Sequence, residues 1–234
     1  MPVNSFTILE REWAEFDLGA GDRAEDFMRG RDISWVAQVS PIIEELTEPG
    51  QLIFDPFAGL GTTLLGAGLV GRRSIGFEVD AVRFELLQKR LERHRAALSH
   101  FPEARLKDAL TDPFPEGLEA IITNPPYYHA GQQKRSGNIY GTDAYAAYLE
   151  QMDLVISKCA QALPQGGKLI VFSENINKNN IMIPQAYDIC KIMEKHCRLQ
   201  DERLILYVKL IDQGSAGELR TNRAHEYVFI GLKL

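Results

Sequence analysis

The stretch QLIFDPFAGLGTTLLGAGLV, residues 51–70, contains the transition that decides the fold. Its first five residues form a short apolar run, which predicts a buried strand. Glycines at positions 59 and 61 then mark a tight turn, and the apolar residues that follow Thr62 predict a helix. A strand that leads through a glycine turn into a helix is the beginning of a β-α unit.

The same alternation of short apolar runs and longer amphipathic runs continues along the chain. It predicts strands at residues 51–55, 73–78, 104–108, 119–123 and 168–173. Helices are predicted near residues 62–71, 80–98, 143–163 and 184–197. Another helical pattern begins at Ser34 and contains Pro41, which predicts an interruption or a kink. The fold class is therefore α/β, with a mainly parallel sheet.

The last part of the chain changes character. Residues 203–211 and 226–234 are both strand-like and are separated by a polar loop, which predicts a closing antiparallel hairpin. Residues 1–33 show no pattern that assigns a structure. Because no repeat or linker divides the sequence, we expect a single domain over residues 1–234.

Composition is typical of a soluble globular protein. The 234 residues are 45 % hydrophobic and 25 % charged, which suits one domain with a sizeable core. No apolar run approaches the ~18–20 residues that span a bilayer, and the first residues lack a signal-peptide pattern, so we expect a cytoplasmic protein with no membrane segment. The net charge of −6 argues against broad neutralisation of nucleic-acid phosphates but is compatible with a small basic rim.

The glycine turn is a candidate ligand site. Gly59 and Gly61 remove side chains where the backbone must turn, and the helix that begins near Thr62 offers unpaired amide donors that suit a carboxylate. A dinucleotide fingerprint would need a glycine where Leu64 stands, and the Gly-Lys-Ser/Thr of a phosphate-binding loop is missing. The alternative is an ordinary strand-to-helix turn without a ligand.

Acidic residues stand at the ends of the next two predicted strands. Glu78 can accept hydrogen bonds from both hydroxyls of a ribose. Asp80 directly precedes a helix and is better explained as its cap. Asp108 can accept from an adenine amino group, or it is a solvated turn residue. Since the carboxyl ends of parallel strands share one edge, a nucleoside with an amino-acid tail would fit there.

Residues 123–128, Thr-Asn-Pro-Pro-Tyr-Tyr, follow the fourth predicted strand. The two prolines fix an extended backbone that presents carbonyls rather than amides. The Asn124 side-chain oxygen and the Pro125 carbonyl oxygen can accept hydrogen bonds from the two N–H groups of a conjugated amino group. This favours a nitrogen whose lone pair points at an electrophile. Tyr127 supplies a flat face for a planar substrate, or is a core aromatic. We find no metal-ligand cluster and no Ser-His-Asp arrangement for another chemistry.

These motifs together resemble the amino-methyltransferases of DNA and RNA. Residues 51–90 are especially similar to the cofactor half of the N4-cytosine and N6-adenine DNA methylases, and the ending residues 225–230 resemble their last strand. The resemblance implies a class I methyltransferase fold, a Rossmann-like seven-stranded sheet of order 3-2-1-4-5-7-6, and S-adenosyl-L-methionine as cofactor. It implies cofactor contacts at Asp55, Phe57, Gly59, Gly61, Thr62, Glu78 and Asp108, and catalytic target contacts at Asn124, Pro125, Pro126 and Tyr127.

Two departures limit the resemblance. The cofactor loop precedes the Asn-Pro-Pro-Tyr motif, whereas the catalytic motif comes first in many DNA methylases with this type of glycine loop. The order found here is also similar to N6-adenine methylases of another class and to tRNA and rRNA guanine-N2 methyltransferases. The chain also lacks the length for a large target-recognition region. Polar segments 129–143, 174–183 and 212–224 are therefore candidate recognition loops. Candidate substrate contacts are Tyr128, Lys134, Arg135, Lys178, Arg220 and Arg223, although each charge is also explained as a solvated loop residue.

The preferred function is methyl transfer to an exocyclic amino group of a nucleic-acid base, adenine N6 or cytosine N4 in DNA. The first alternative is RNA, at guanine N2 or adenine N6. The second is a glutamine side-chain amide in a protein, since Asn-Pro-Pro-Tyr also resembles the motif of such enzymes. A non-enzymatic partner subunit is a third interpretation, and the sequence leaves the oligomeric state open.

Overall fold

The computed structural model describes residues 6–9, 36–128, 144–178, 181–207 and 225–234. The helices are α1 (Val36–Leu46), α2 (Thr62–Leu69), α3 (Ala81–Arg93), α4 (Tyr145–Ala162) and α5 (Gln185–His196). The strands are β1 (Phe6–Leu9), β2 (Leu52–Asp55), β3 (Arg73–Glu78), β4 (Glu103–Leu106), β5 (Ala120–Thr123), β6 (Lys168–Ser173), β7 (Ile176–Lys178), β8 (Ile181–Ile183), β9 (Arg198–Tyr207) and β10 (His225–Leu232).

Eight strands form the main sheet in the order β1-β9-β10-β6-β5-β2-β3-β4. Strands β2 to β6 are parallel, and β10 pairs antiparallel with both β6 and β9. The predicted order and the predicted closing hairpin are therefore confirmed. The sheet has one strand more than predicted. This strand, β1, pairs parallel with β9 at the edge of the sheet and lies in the N-terminal segment for which the sequence predicted no structure.

Helices cover both faces of the sheet because its central strands are apolar on both faces. On β2, Ile53 packs with residues of α1 and α2, whereas the next residue, Phe54, packs with residues of α4 and α5. Ile121 and Ile122 of β5 alternate in the same way. Fully buried parallel strands read as continuous apolar runs, which is why the sequence placed these strands well.

Local signals explain where several helices begin. Asp80 caps α3, as predicted, since its side chain accepts from the backbone amides of Val82 and Arg83. Pro41 does not interrupt α1: it lies inside the helix with its ring exposed to solvent.

None of the helices within the described ranges is long and apolar enough to cross a lipid bilayer.

The segment predicted as a polar recognition loop at residues 174–183 contains a small antiparallel hairpin of β7 and β8. Ile176 and Ile183, which are paired across it, pack against the core. Ile181 and Met182 remain exposed. The predicted loop is thus partly regular structure, anchored because its apolar ends reach the core.

Candidate active site

The carboxyl edge of the main sheet brings together the ends of four neighbouring strands. These strands, β4, β3, β2 and β5, are parallel to one another, so their last residues lie on one side. Open parallel sheets bind ligands in the crevice at this edge. The residues at these ends are Leu106, Glu78, Asp55 and Thr123. The structure therefore places the glycine turn, Glu78 and the Asn-Pro-Pro-Tyr turn along one edge.

The turn between β2 and α2 has two residues with left-handed backbone. Gly59 has φ of 55° and Gly61 has φ of 79°, values that residues with a Cβ rarely adopt. The Ala58 amide donates to the carbonyl oxygen of Phe77 on β3 at 2.8 Å, which holds the turn against the sheet. The helix α2 begins directly after this turn, at Thr62, and its N-terminal end lies at the same edge of the sheet.

A buried arginine supports this turn from inside the protein. Arg90 of α3 is 0 % exposed and donates to the Leu60 carbonyl oxygen at 3.0 Å and to Thr62 Oγ1 at 2.9 Å. The Thr62 side chain is thus engaged inside the protein, and the predicted cofactor contact of Thr62 stays a prediction. Arg90 is not among the residues predicted from the sequence, although an arginine between Leu87 and Leu91 on an apolar stripe signals a buried partner.

Asp55 connects the glycine turn with β5. Its carboxylate is 2 % exposed and accepts from the Phe57 amide at 3.0 Å and from the Thr123 hydroxyl at 2.7 Å. Burial raises the pKa of Asp55 from 3.8 to about 6, against the opposing effect of its hydrogen bonds. Phe57 is partly buried and packs on the core. Because Thr123 directly precedes Asn124, the Asp55–Thr123 bond joins the two halves of the site.

Glu78 brings a second buried carboxylate to the edge. It is 6 % exposed, and its Oε1 accepts from the Asp80 backbone amide at 2.8 Å. Burial raises the pKa of Glu78, while the Asp80 amide and the charge of Arg83 oppose that shift. Asp80 serves the helix start, so Glu78 is the acid of this pair that is placed for a ligand.

Asp108 lies in the turn after β4. Its Oδ1 accepts from the Leu110 amide at 2.9 Å, the local hydrogen bond that favours aspartate in turns. Lys158 of α4 holds the same turn, since its Nζ donates to the carbonyl oxygens of Ala109, Leu110 and Asp112 at 2.5, 3.1 and 2.9 Å. One oxygen of Asp108 thus serves the turn, and an adenine contact of the other stays a prediction.

The prolines and Tyr128 anchor the Asn-Pro-Pro-Tyr turn in the protein. Pro125 and Pro126 are buried, and the Pro126 carbonyl accepts from the Tyr148 hydroxyl at 3.0 Å. Tyr128 is 8 % exposed, with its ring centroid 5.1 Å from that of Tyr145 and 5.9 Å from that of Tyr148. Tyr128 thus packs against α4, and its expected substrate contact stays a prediction.

Asn124 and Tyr127 share one hydrogen-bond acceptor. Asn124 Nδ2 donates to Glu226 Oε1 at 3.1 Å, and the Tyr127 hydroxyl donates to the same oxygen at 2.8 Å. Glu226 lies on β10, is 3 % exposed, and also accepts from Gln38 of α1 through Oε2. No site role for Glu226 was predicted. Its signal in the sequence is a lone carboxylate in the apolar run of the final strand.

The basic residues predicted to contact the substrate lie outside the described residues. They are Lys134, Arg135, Arg220 and Arg223, and the Lys178 side chain is outside them as well. Two of the three candidate recognition segments, 129–143 and 212–224, are likewise outside. Within the described ranges, no group of three or more His, Cys, Asp or Glu residues is arranged to hold a metal ion.

Comparison with known proteins agrees with this arrangement. Residues 36–89, which include the glycine turn and Glu78, match a family model described as DNA methylase. The chain is 26 % identical over 164 residues, 70 % of its length, to a tRNA (guanine(10)-N2)-dimethyltransferase of Methanothermobacter thermautotrophicus. It is 24 % identical, with 76 % of it covered, to a tRNA (guanine(10)-N(2))-methyltransferase of Schizosaccharomyces pombe. Residues 36–89 are therefore similar to the DNA methylase model, and most of the chain is similar to these two tRNA methyltransferases.

This amino-methyltransferase-like chain spans less than half of those two relatives, 44 % and 46 % of their lengths. Among solved structures, TrmN from Thermus thermophilus superposes with a TM-score of 0.57 at 19 % identity. The match covers 85 % of this chain and 48 % of TrmN. At that identity the superposition supports the fold.

Proposed function

We propose that the protein transfers a methyl group from S-adenosyl-L-methionine to the exocyclic amino group of a base in RNA. The observation that carries this proposal is the Asp55–Thr123 hydrogen bond of 2.7 Å. It joins the glycine turn, where an amino-acid tail would bind, to the turn that carries Asn124. A ligand in the first half would therefore lie next to an amino group in the second.

The residues of the first half fit this cofactor. The bare backbone at Gly59 and Gly61 and the first amides of α2 suit the carboxylate of the amino-acid tail. The buried carboxylate of Glu78 suits the ribose hydroxyls, and the turn at Asp108 suits the adenine amino group. Phe57 and the backbone of Thr62 border the same turn. When bound, S-adenosylmethionine supplies an electrophilic methyl group.

The second half acts on the amino group that accepts the methyl. A conjugated amino nitrogen is a poor nucleophile because its lone pair is delocalised into the ring. The Asn124 side-chain oxygen and the Pro125 carbonyl oxygen can accept hydrogen bonds from the two N–H groups of this nitrogen. These hydrogen bonds favour the conformation in which the lone pair is free to attack. The Tyr127 ring holds the base by stacking, and such stacking contributes about 1–3 kcal/mol per base. Positioning then accounts for much of the rate.

RNA is favoured over DNA because the similarity to tRNA methyltransferases covers more of the chain than the similarity to the DNA methylase model. The DNA methylase model matches residues 36–89, which contain the proposed cofactor half but end before Asn124. The two tRNA methyltransferases align with 70 % and 76 % of the chain, which is more than the cofactor half alone can supply. The likeness to RNA enzymes therefore extends beyond the part that binds the common cofactor. Guanine N2 of tRNA is the first acceptor to test.

The test is transfer of a radiolabelled methyl group from S-adenosylmethionine to tRNA, rRNA, duplex DNA and soluble protein in parallel. Nucleosides from every labelled sample are then separated. We expect N2-methylguanine in tRNA. The control is Asn124→Ala, which should label none of them.

Other outcomes identify other functions. Label in N6-methyladenine or N4-methylcytosine of DNA would replace RNA with the second candidate, which the family model over residues 36–89 favours. Label confined to protein would indicate a glutamine amide instead. No label in any sample, with the cofactor bound, would contradict the proposal.

A further inference from the structure

A buried carboxylate joins three distant parts of the chain beside the proposed acceptor site. Glu226 Oε1 accepts from Asn124 and Tyr127, and Glu226 Oε2 accepts from Gln38. These donors come from the turn after β5 and from α1. A carboxylate that is 3 % exposed on a core strand is costly unless donors satisfy it. Here the donors include the proposed catalytic asparagine.

The carboxylate fixes which end of the Asn124 amide faces inward. Both oxygens of the Glu226 carboxyl accept hydrogen bonds in the structure, and the group of Asn124 that faces it is the amide nitrogen. The two ends of an amide side chain lie on opposite sides of its carbon. Asn124 Oδ1 is therefore directed away from Glu226. The reversed amide would place two acceptor oxygens against each other and is disfavoured.

The same carboxylate also engages the hydroxyl of Tyr127. The bond of 2.8 Å to Glu226 Oε1 fixes the ring at its far end as well as at its backbone. Tyr127 can then contribute its ring face to a substrate without using its hydroxyl. A ring fixed at both ends binds a planar group with a smaller loss of conformational freedom.

We propose that Glu226, supported by Gln38, is the positioning residue of the methyl-acceptor turn. It orients the Asn124 oxygen and the Tyr127 ring before the substrate binds. This inference rests on the proposed function, because it assigns those two residues to the acceptor. Glu226 acts through Asn124 and Tyr127.

Two substitutions separate orientation from bulk stability. Glu226→Ala removes every acceptor, and we expect kcat to fall about 100-fold, as for a catalytic group that is no longer held in place. Glu226→Gln keeps one acceptor oxygen for Asn124 and Tyr127, while its amide group can face a rotated Gln38 amide. The loss in kcat should then be about 5- to 10-fold, which reflects a neutral acceptor in place of a charged one. Affinity for S-adenosylhomocysteine should match wild type in both variants.

A matched control is Glu202→Gln, the same change at an exposed residue of the adjacent strand, which is paired with Phe229 of β10. It should leave kcat and cofactor affinity unchanged. Wild-type kcat in Glu226→Ala would overturn the proposal. A loss in Glu226→Gln as large as in Glu226→Ala would also overturn it, since the retained oxygen would then have no orienting effect.

A measurement without methyl transfer separates this inference from the proposed function. The side-chain amide protons of Asn124 are identified in ¹⁵N spectra by the signal that Asn124→Ala removes. We expect slow solvent exchange of that signal in wild type and in Glu226→Gln, and faster exchange in Glu226→Ala. Equal exchange in all three would refute the orienting contact even if the enzyme methylates RNA. Slow exchange in a protein that methylates nothing would retain the contact and refute the proposed function instead.

Discussion

The buried carboxylate of Asp55 makes a pH-dependent prediction that needs no substrate. Burial raises its pKa from 3.8 to about 6 in the folded protein, so the native state binds a proton more tightly than the unfolded chain does. Stability therefore falls as pH rises from about 4 to about 7, because the unfolded carboxyl ionises first. At about 1.4 kcal/mol per pKa unit, the shift corresponds to about 3 kcal/mol at neutral pH.

Asp55→Asn removes this charge and keeps an acceptor oxygen for Phe57 and Thr123. The difference in free energy of unfolding, variant minus wild type, should rise by about 2–2.5 kcal/mol between pH 4 and pH 7, because the unfolded carboxyl is already partly ionised at pH 4. Urea unfolding of both proteins across that range measures it, and the difference cancels the contributions of all other groups. A pH-independent difference would refute the reasoning.

Asp112→Asn is the control with the opposite sign. Asp112 is a turn residue whose pKa is lowered, chiefly by its hydrogen bond with Lys107. Its ionised form is favoured in the native state, so the variant-minus-wild-type difference should fall as pH rises to about 4 and stay nearly level from pH 4 to pH 7. A rise at Asp112 as large as that at Asp55 between pH 4 and pH 7 would show that burial of Asp55 is not its cause.

Three further predictions concern the supports of the site. Arg90→Met should lower the free energy of unfolding by about 3–5 kcal/mol, because Leu60 and Thr62 lose a buried donor; the neighbouring exposed change Lys89→Met should have no effect in the same urea assay. Lys158→Met should weaken binding of S-adenosylhomocysteine, measured by calorimetry, about tenfold, a change of about 1.4 kcal/mol. The reason is that three carbonyl oxygens of the turn that contains Asp108 lose their hydrogen bonds from Lys158. Unchanged affinity would remove that turn from the cofactor site. Tyr148→Phe should cost about 1–2 kcal/mol of stability by leaving the buried Pro126 carbonyl without its donor, and an unaltered urea midpoint would show that this hydrogen bond is replaced.

The sheet could be predicted because its signals are local. Strands such as β5 and β6 are buried on both faces, so each reads as one apolar run between turn residues. The glycine turn was predictable for the same reason, since the sequence places its residues side by side. The beginning of β9 could not be predicted in the same way. The strand begins at Arg198, five positions before the predicted residue 203, in a polar stretch that pairs with the last residues of β10.

The supports of the site escaped prediction because they are non-local. Glu226 meets Asn124 across 102 positions of sequence, and Arg90 meets Leu60 across 30. Glu226 is the one carboxylate of an apolar strand, and Arg90 lies on the buried face of an amphipathic helix. Nothing nearby in the sequence reveals the partner of either residue. The burial of Tyr128 is non-local for a related reason. Its neighbour Tyr127 follows the same two prolines, and the packing of Tyr128 against Tyr145 and Tyr148 of α4 cannot be read from the sequence around it.

The division of the site into a cofactor half and an acceptor half is tested most directly by Asn124→Ala. Binding of S-adenosylhomocysteine by calorimetry and turnover with labelled S-adenosylmethionine would be measured on the same preparation, with Glu78→Ala beside it. We expect Asn124→Ala to bind the cofactor product like wild type while turnover falls by about 100-fold or more, and Glu78→Ala to lose binding. Loss of binding in a folded Asn124→Ala protein, or wild-type binding in Glu78→Ala, would contradict the account.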